Sequence, residues 1–144
     1  MTIALGADHR GFTCKEFIKS QQSLGSFALQ WLDTGTFSQE RTDYPIYART
    51  VISAVTAGKA QLGILFCGSG AGMAIAANRM PGIYAAVAWN VDVARAMRAD
   101  DHVNVLVLPT DYISQEQAVA IVTTWLTTPC KQGRYSDRLA MIDS

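Results

Sequence analysis

Five short apolar runs, each followed by an amphipathic segment, predict an α/β fold in which a parallel sheet is covered by helices on both faces. Glycines gather where an apolar run ends, as in "FCGSGAG" at 66–72, and such strand-to-helix turns are where open parallel sheets bind ligands. The chain has 144 residues, 49% hydrophobic and 17% charged, which suits one domain with a sizeable core and excludes a disordered chain.

The elements follow in order. "TIALGA", Thr2 to Ala7, is continuously apolar, as a strand buried on both faces must be, and "GFTCKEFIKSQQ" is the helix after it. "FALQWLD" is a weaker second strand ending at "TGT". From Tyr44 to Val55 the apolar residues fall at 44, 47, 48, 51, 52 and 55, the stripe of a helix packed on one face. A third strand spans Gln61–Phe66; the "GSGAG" loop and a helix to Met80 follow, and "PG" at 81–82 stops that helix. "IYAAVA" is the fourth strand, with "VDVARAMRA" as its helix. "VNVLVL" is the fifth, followed by a helix over Ser114–Leu126 and, beyond "PCKQ", a C-terminal helical tail. No repeat, low-complexity tract or linker interrupts the pattern, so residues 1–144 read as a single Rossmann-like three-layer domain with a five-stranded parallel sheet.

Composition narrows the function. Lys+Arg and Asp+Glu are each 12, so there is no basic surface for nucleic acid, and little mutual repulsion opposes self-association. No stretch nears the ~20 apolar residues of a membrane span, and the first residues lack a signal-peptide pattern. The three cysteines, Cys14, Cys67 and Cys130, are odd in number and lack metal-type spacing. A cytoplasmic chain with reduced thiols and no metal is the expectation.

Several positions can carry chemistry. Gly68, Gly70 and Gly72 let backbone amides approach a ligand, or they serve only as a tight turn. Cys67 sits where the following helix favours thiolate, so it is expected to have a lowered pKa and to act as nucleophile or base; a buried apolar role is the alternative, and the one expected of Cys14 and Cys130. Asp8 and His9, in "GADHRG", stand past the first strand at the same sheet edge; Asp8 can instead cap the next helix. In "ERTDYP", Asp43 can cap a helix and Tyr44 can line a pocket or pack. Arg134 and Arg138, four apart in "GRYSDR", can clamp a phosphate or remain a solvated pair.

Taken together, "GADHRG", "DTGT", "ERTDYP", "FCGSGAGMAIAANRMPGI", "NVLVL" and "GRYSDR" closely resemble the ribose-5-phosphate isomerase B family, which includes the galactose-6-phosphate isomerase subunits. The resemblance covers nearly the whole chain. It implies a cofactor-free, metal-free aldose–ketose isomerase of a phosphorylated sugar, working as a homodimer or homotetramer with active sites between subunits. It implies that Cys67 removes the proton beside the sugar carbonyl. Gly68, Ser69 (where Thr is usual), Gly70, Ala71 and Gly72 would stabilise the enediolate oxygen. Asp8 and His9 would bind substrate, and Arg134 and Arg138 its phosphate.

The chain departs from the pattern in three places. Where the family carries "HNDxNV", with a ring-opening His, this chain has "DDHVNV": Asp100 stands at the His, Asp101 at the substrate-binding Asn, and His102 two places later. "PTD" replaces "GSR", putting Asp111 where an Arg near the phosphate is usual, and Tyr135 replaces a His. Either Asp100 or His102 then serves ring opening, or the substrate is another sugar phosphate (a tetrose or hexose phosphate), or the chain is a non-catalytic sugar-phosphate-binding subunit. A cysteine hydrolase ranks behind these, since Asp8 and His9, if both extended, would point to opposite faces.

Overall fold

The computed structural model describes residues 1–144. The chain runs β1 (Thr2–Ala7), α1 (Phe12–Lys19), β2 (Ser23–Leu24), β3 (Phe27–Ala28), β4 (Gln30–Asp33), α2 (Tyr44–Thr56), β5 (Leu62–Cys67), α3 (Ala71–Ala77), β6 (Ala85–Val87), α4 (Val91–Asp101), β7 (Val105–Pro109), α5 (Gln115–Thr127) and α6 (Arg134–Asp143). The main sheet has the order β4-β1-β5-β7-β6, and every pairing in it is parallel. Five parallel strands between two helical layers are the architecture expected from the sequence.

Period-two alternation sorts the core. Along β5, Leu62, Ile64 and Phe66 join a cluster of 20 buried residues under α1, α4 and α5. Leu65 and Cys67 face the other way, into a cluster of 13 with Val51 of α2 and Met73 of α3. Cys67 therefore looks into the α2/α3 layer.

Some boundaries differ from the sequence reading. "FALQWLD" does not form one strand: β3 pairs antiparallel with β2 as a separate hairpin, turning at Gly25 (φ 61°), and only β4 joins the main sheet. The helix read as reaching Met80 ends at Ala77, because the Asn78 amide exchanges two 2.8 Å hydrogen bonds with the backbone of Ala85 and is drawn to the sheet edge. Cys67 belongs to β5 itself, in register with Pro109.

One buried charge network ties α1 to β4. Lys15 is wholly buried; its Nζ donates to Asp33 Oδ2 at 2.6 Å and Glu16 Oε1 at 2.8 Å, while Lys19 donates to the same Asp33 oxygen at 2.9 Å. Burial acts to raise the Asp33 pKa, but the bonds from Lys15, Lys19 and the Gly35 amide outweigh it and hold the carboxyl below its ordinary value.

Candidate active site

Strand order locates the site. From β1 the chain crosses to β4 on one side and then returns past β1 to β5 on the other, so the β1/β5 boundary is a topological switch point. Asp8 follows β1 and Cys67 ends β5. A cleft of about 540 Å3 opens there, lined by Asp8, His9, Arg10, Arg41, Thr42, Asp43, Tyr44, Cys67, Ser69 and Gly72.

At its base lies a thiol–carboxylate pair. Cys67 Sγ is 3.4 Å from Asp8 Oδ2 and donates to it, and Asp8 Oδ1 accepts the backbone N–H groups of Arg10 at 3.0 Å and Gly11 at 3.1 Å. Asp8 thus ties a turn ahead of α1, whose N-cap is Gly11. Burial pushes the Cys67 thiol up, Asp8 pushes it further, and the neighbouring backbone amides of Gly70 and Gly68 pull back part of the rise. This corrects the expectation of a lowered pKa: α3 has only seven residues, and a buried anion beside the thiol outweighs its N-terminus. Cys14 is a buried apolar residue as expected, with its thiol pushed up to about 11, whereas Cys130 is only half-buried.

The same turn explains His9. Residues 8–11 are not extended, so Asp8 and His9 both line the cleft, contrary to the alternation argument. His9 Nδ1 accepts the Thr42 amide at 3.3 Å, so the neutral ring carries its proton on Nε2. The thiol's partner is Asp8, not His9, which removes the Cys–His arrangement a cysteine hydrolase needs.

The glycine loop is shaped by its neighbours. A methyl at Gly68 would lie 2.5 Å from the Arg10 guanidinium carbon, and one at Gly72 would fall inside the contact distance of the Tyr44 ring. Gly70 (φ 80°) turns the backbone into α3 and caps it, and Ala71 opens the helix with its amide on Ser69 Oγ at 3.3 Å. The Ser69 hydroxyl proton is thereby left for another acceptor.

Asp100, Asp101, His102, Arg134 and Arg138 do not line this cleft within one chain. Asp100 pairs with Lys131 at 2.9 Å. His102 closes α4 in the left-handed region (φ 51°), and its Nε2 is bound to the Lys131 carbonyl. Asp101 borders an apolar hollow with Tyr84 and Leu139. Arg134 and Arg138 flank the Tyr135 ring at 5.1 and 4.8 Å, with Lys131 at 4.9 Å. Asp100, His102, Lys131 and the two arginines therefore form a second cluster, at least partly exposed. α4 ends where the chain enters β7, so Asp100–His102 lie toward the N-terminal edge of the parallel sheet, opposite the edge that carries the cleft.

Sequence reasoning missed Arg10, Arg41 and Thr42. Arg10 could have been found, since it stands between His9 and Gly11 in a motif already singled out.

Comparison with known proteins follows this geometry. The family model described as Ribose/Galactose Isomerase matches residues 3–142. The chain is similar to ribose-5-phosphate isomerase B of Escherichia coli, 40% identical over 140 residues, which cover 97% of this chain and 93% of that protein. A Thermotoga maritima ribose 5-phosphate isomerase structure superposes with a TM-score of 0.93 at 42% identity, over 99% of this chain and 97% of that one. The Trypanosoma brucei type B ribose 5-phosphate isomerase also gives 0.93, at 38% identity over 99% and 96% of the two chains.

Proposed function

The chain belongs to the ribose/galactose isomerase family, and on that premise we propose that it interconverts ribose 5-phosphate and ribulose 5-phosphate through an enediolate, with Cys67 as the base. The observation that carries this reading is the Cys67–Asp8 pair at the switch point, where the Gly68–Gly72 loop begins. A thiol so held has a fixed direction toward substrate, and amide dipoles await the charge it acquires on ionising.

In the open-chain sugar, Cys67, ionised with its proton lost to solvent, takes the proton from C2 and returns it to C1 as the double bond moves, while the O2 hydroxyl proton passes to O1. The enediolate oxygen is stabilised by the Ser69 hydroxyl, which its contact with the Ala71 amide leaves free to donate. His9, with Nδ1 occupied, offers Nε2–H to a sugar hydroxyl, and Tyr44 packs beside Gly72 as a wall. Asp8 orients the thiol, so its contribution is felt through Cys67.

Arg134 and Arg138 serve the cleft of a second copy in a homodimer, and Asp100 or His102 of that copy assists ring opening. Two features support this: these groups already form one cluster, at least partly exposed, and α2 and α3, packed on each other, leave Ile46 and Ile75 exposed, with Met80 exposed just past α3. Asp100 is neutralised by Lys131, which removes the repulsion a free acid would exert on phosphate. No helix is long and apolar enough to cross a membrane, and the three unpaired cysteines suit a reducing, cytoplasmic setting.

The test is incubation with ribose 5-phosphate in D2O, followed by NMR. Ribulose 5-phosphate formation with deuterium entering from solvent, abolished by Cys67→Ala, is the expected result. A folded oligomer that neither turns over nor exchanges would refute the assignment.

A further inference from the structure

We propose that Arg10 is this chain's own phosphate-binding cation in the cleft, with Asp111 as its positioning residue. The proposal deepens the sugar-phosphate reading above and rests on it.

Three observations converge on Arg10. Its side chain lines the cleft together with Cys67 and Ser69 and is half exposed there. The loop leaves room for it: a Cβ at position 68 would lie 2.5, 2.6 and 2.8 Å from Arg10 Cζ, Nε and Nη1, so a side chain at 68 would displace the guanidinium from this place. Its Nη2 is ion-paired with Asp111 Oδ2. The acid at 111, which looked hostile to phosphate in the sequence, is thereby occupied by a cation.

The anchor is itself fixed. Asp111 N–H donates to Gly68 O at 3.1 Å, Thr110 N–H donates to Cys67 O at 2.9 Å, and Thr110 Oγ1 donates to Arg10 O at 3.2 Å. The end of β7 is thus tied both to the backbone of Cys67 and its loop and to the arginine's. An arginine in a solvated surface pair would need neither the glycine nor these ties. Guanidinium is the side chain whose fork of donors matches phosphate, and Asp111 occupies one corner and leaves the others.

Position agrees with the substrate. Geometry places Arg10 Cζ within about 4 Å of the Gly68 Cα and so no farther than about 8 Å from the Cys67 Cα, since successive Cα atoms are about 3.8 Å apart. In a pentose 5-phosphate, the reacting carbons and the phosphorus are separated by a comparable few ångströms. Arg10 thus supplies phosphate contact from the same chain as the thiol, while Arg134 and Arg138 approach from a second copy.

The experiment compares the parent with Arg10→Ala, Arg10→Lys, Asp111→Asn and the Arg10→Ala/Asp111→Asn double variant, using inorganic phosphate as probe. Two readouts are taken: inhibition of ribose 5-phosphate turnover, and protection of Cys67 from iodoacetamide. Arg10→Ala should raise the phosphate concentration for half-protection, and the KM, by about 10- to 100-fold, the range for a lost charge-assisted hydrogen-bond pair, with kcat less affected. Arg10→Lys should recover part of this loss. Asp111→Asn should weaken phosphate by a smaller factor and add nothing once Arg10 is gone. Unchanged phosphate protection in a natively melting Arg10→Ala protein overturns the proposal, as does Arg10→Lys behaving like Arg10→Ala with unaltered phosphate affinity in both. If the parent does not turn over ribose 5-phosphate yet phosphate protects Cys67 through Arg10, the isomerase reading fails while the anion site stands.

Discussion

Replacing Asp8 by Asn removes the charge beside the Cys67 thiol while keeping the turn it ties, because Asn Oδ1 can still accept from the Arg10 and Gly11 amides. At the observed 3.4 Å, two unit charges would repel by about 5 kcal/mol at an effective dielectric of about 20. Water at the cleft mouth screens that several-fold, leaving on the order of 1–2 kcal/mol. The sign is definite: Asp8 disfavours thiolate, so its loss lowers the thiol's pKa and raises the thiolate population at neutral pH by about tenfold. The assay is the pH dependence of iodoacetamide alkylation in a Cys130→Ser background, where Cys14 stays silent because its buried thiol is pushed up to about 11. Asp8→Asn should alkylate about tenfold faster near neutrality, and the rising limb of its pH–rate profile for isomerisation should move to lower pH. A natively melting variant that alkylates at the parent rate, or more slowly, would refute the electrostatic account of this pair.

Further outcomes follow from the same contacts. Asp33→Asn leaves Lys15 buried with Glu16 as its remaining acid, and should cost about 3 kcal/mol in urea unfolding at neutral pH. Because Asp33 is held below its ordinary 3.8, its contribution is fully present above that value, and the gap between parent and variant should close as pH falls through the depressed pKa. Gly72→Ala should displace the Tyr44 ring and lower kcat/KM more than tenfold while changing stability by less than about 1 kcal/mol, read by kinetics and thermal melting together. Mixing inactive Cys67→Ala with inactive Arg134→Ala/Arg138→Ala should restore about a quarter of parent activity if each cleft draws its arginines from a second copy; no restoration would place the phosphate contacts elsewhere.

Much of the fold was legible in the sequence because its causes are local. A strand buried on both faces must be continuously apolar, which made β1, β5 and β7 readable, and a one-sided helix must repeat near 3.6, which made α2 readable from Tyr44 onward. Where the cause was not local, the reading slipped. "FALQWLD" has strand composition throughout, but Phe27–Ala28 pairs with a hairpin partner and Gln30–Asp33 with β1. Helix α3 stops early because Asn78 binds Ala85, a residue on another element.

For the site, the sequence by itself marked the cysteine, the glycine loop, Asp8, His9 and Tyr44, since special residue types at a strand end stand out without coordinates. Tertiary structure alone decided what surrounds them. It buried the thiol and set Asp8 against it, which together reversed the expected direction of the Cys67 pKa, and it filled the space above Gly68 with Arg10. It also gathered Asp100, His102, Arg134 and Arg138 around Lys131 and Tyr135, because α4 and α6 pack on each other outside the cleft. Backbone preference is a property of neighbours in sequence, whereas a group's charge environment sums over whatever the strand order brings within a few ångströms.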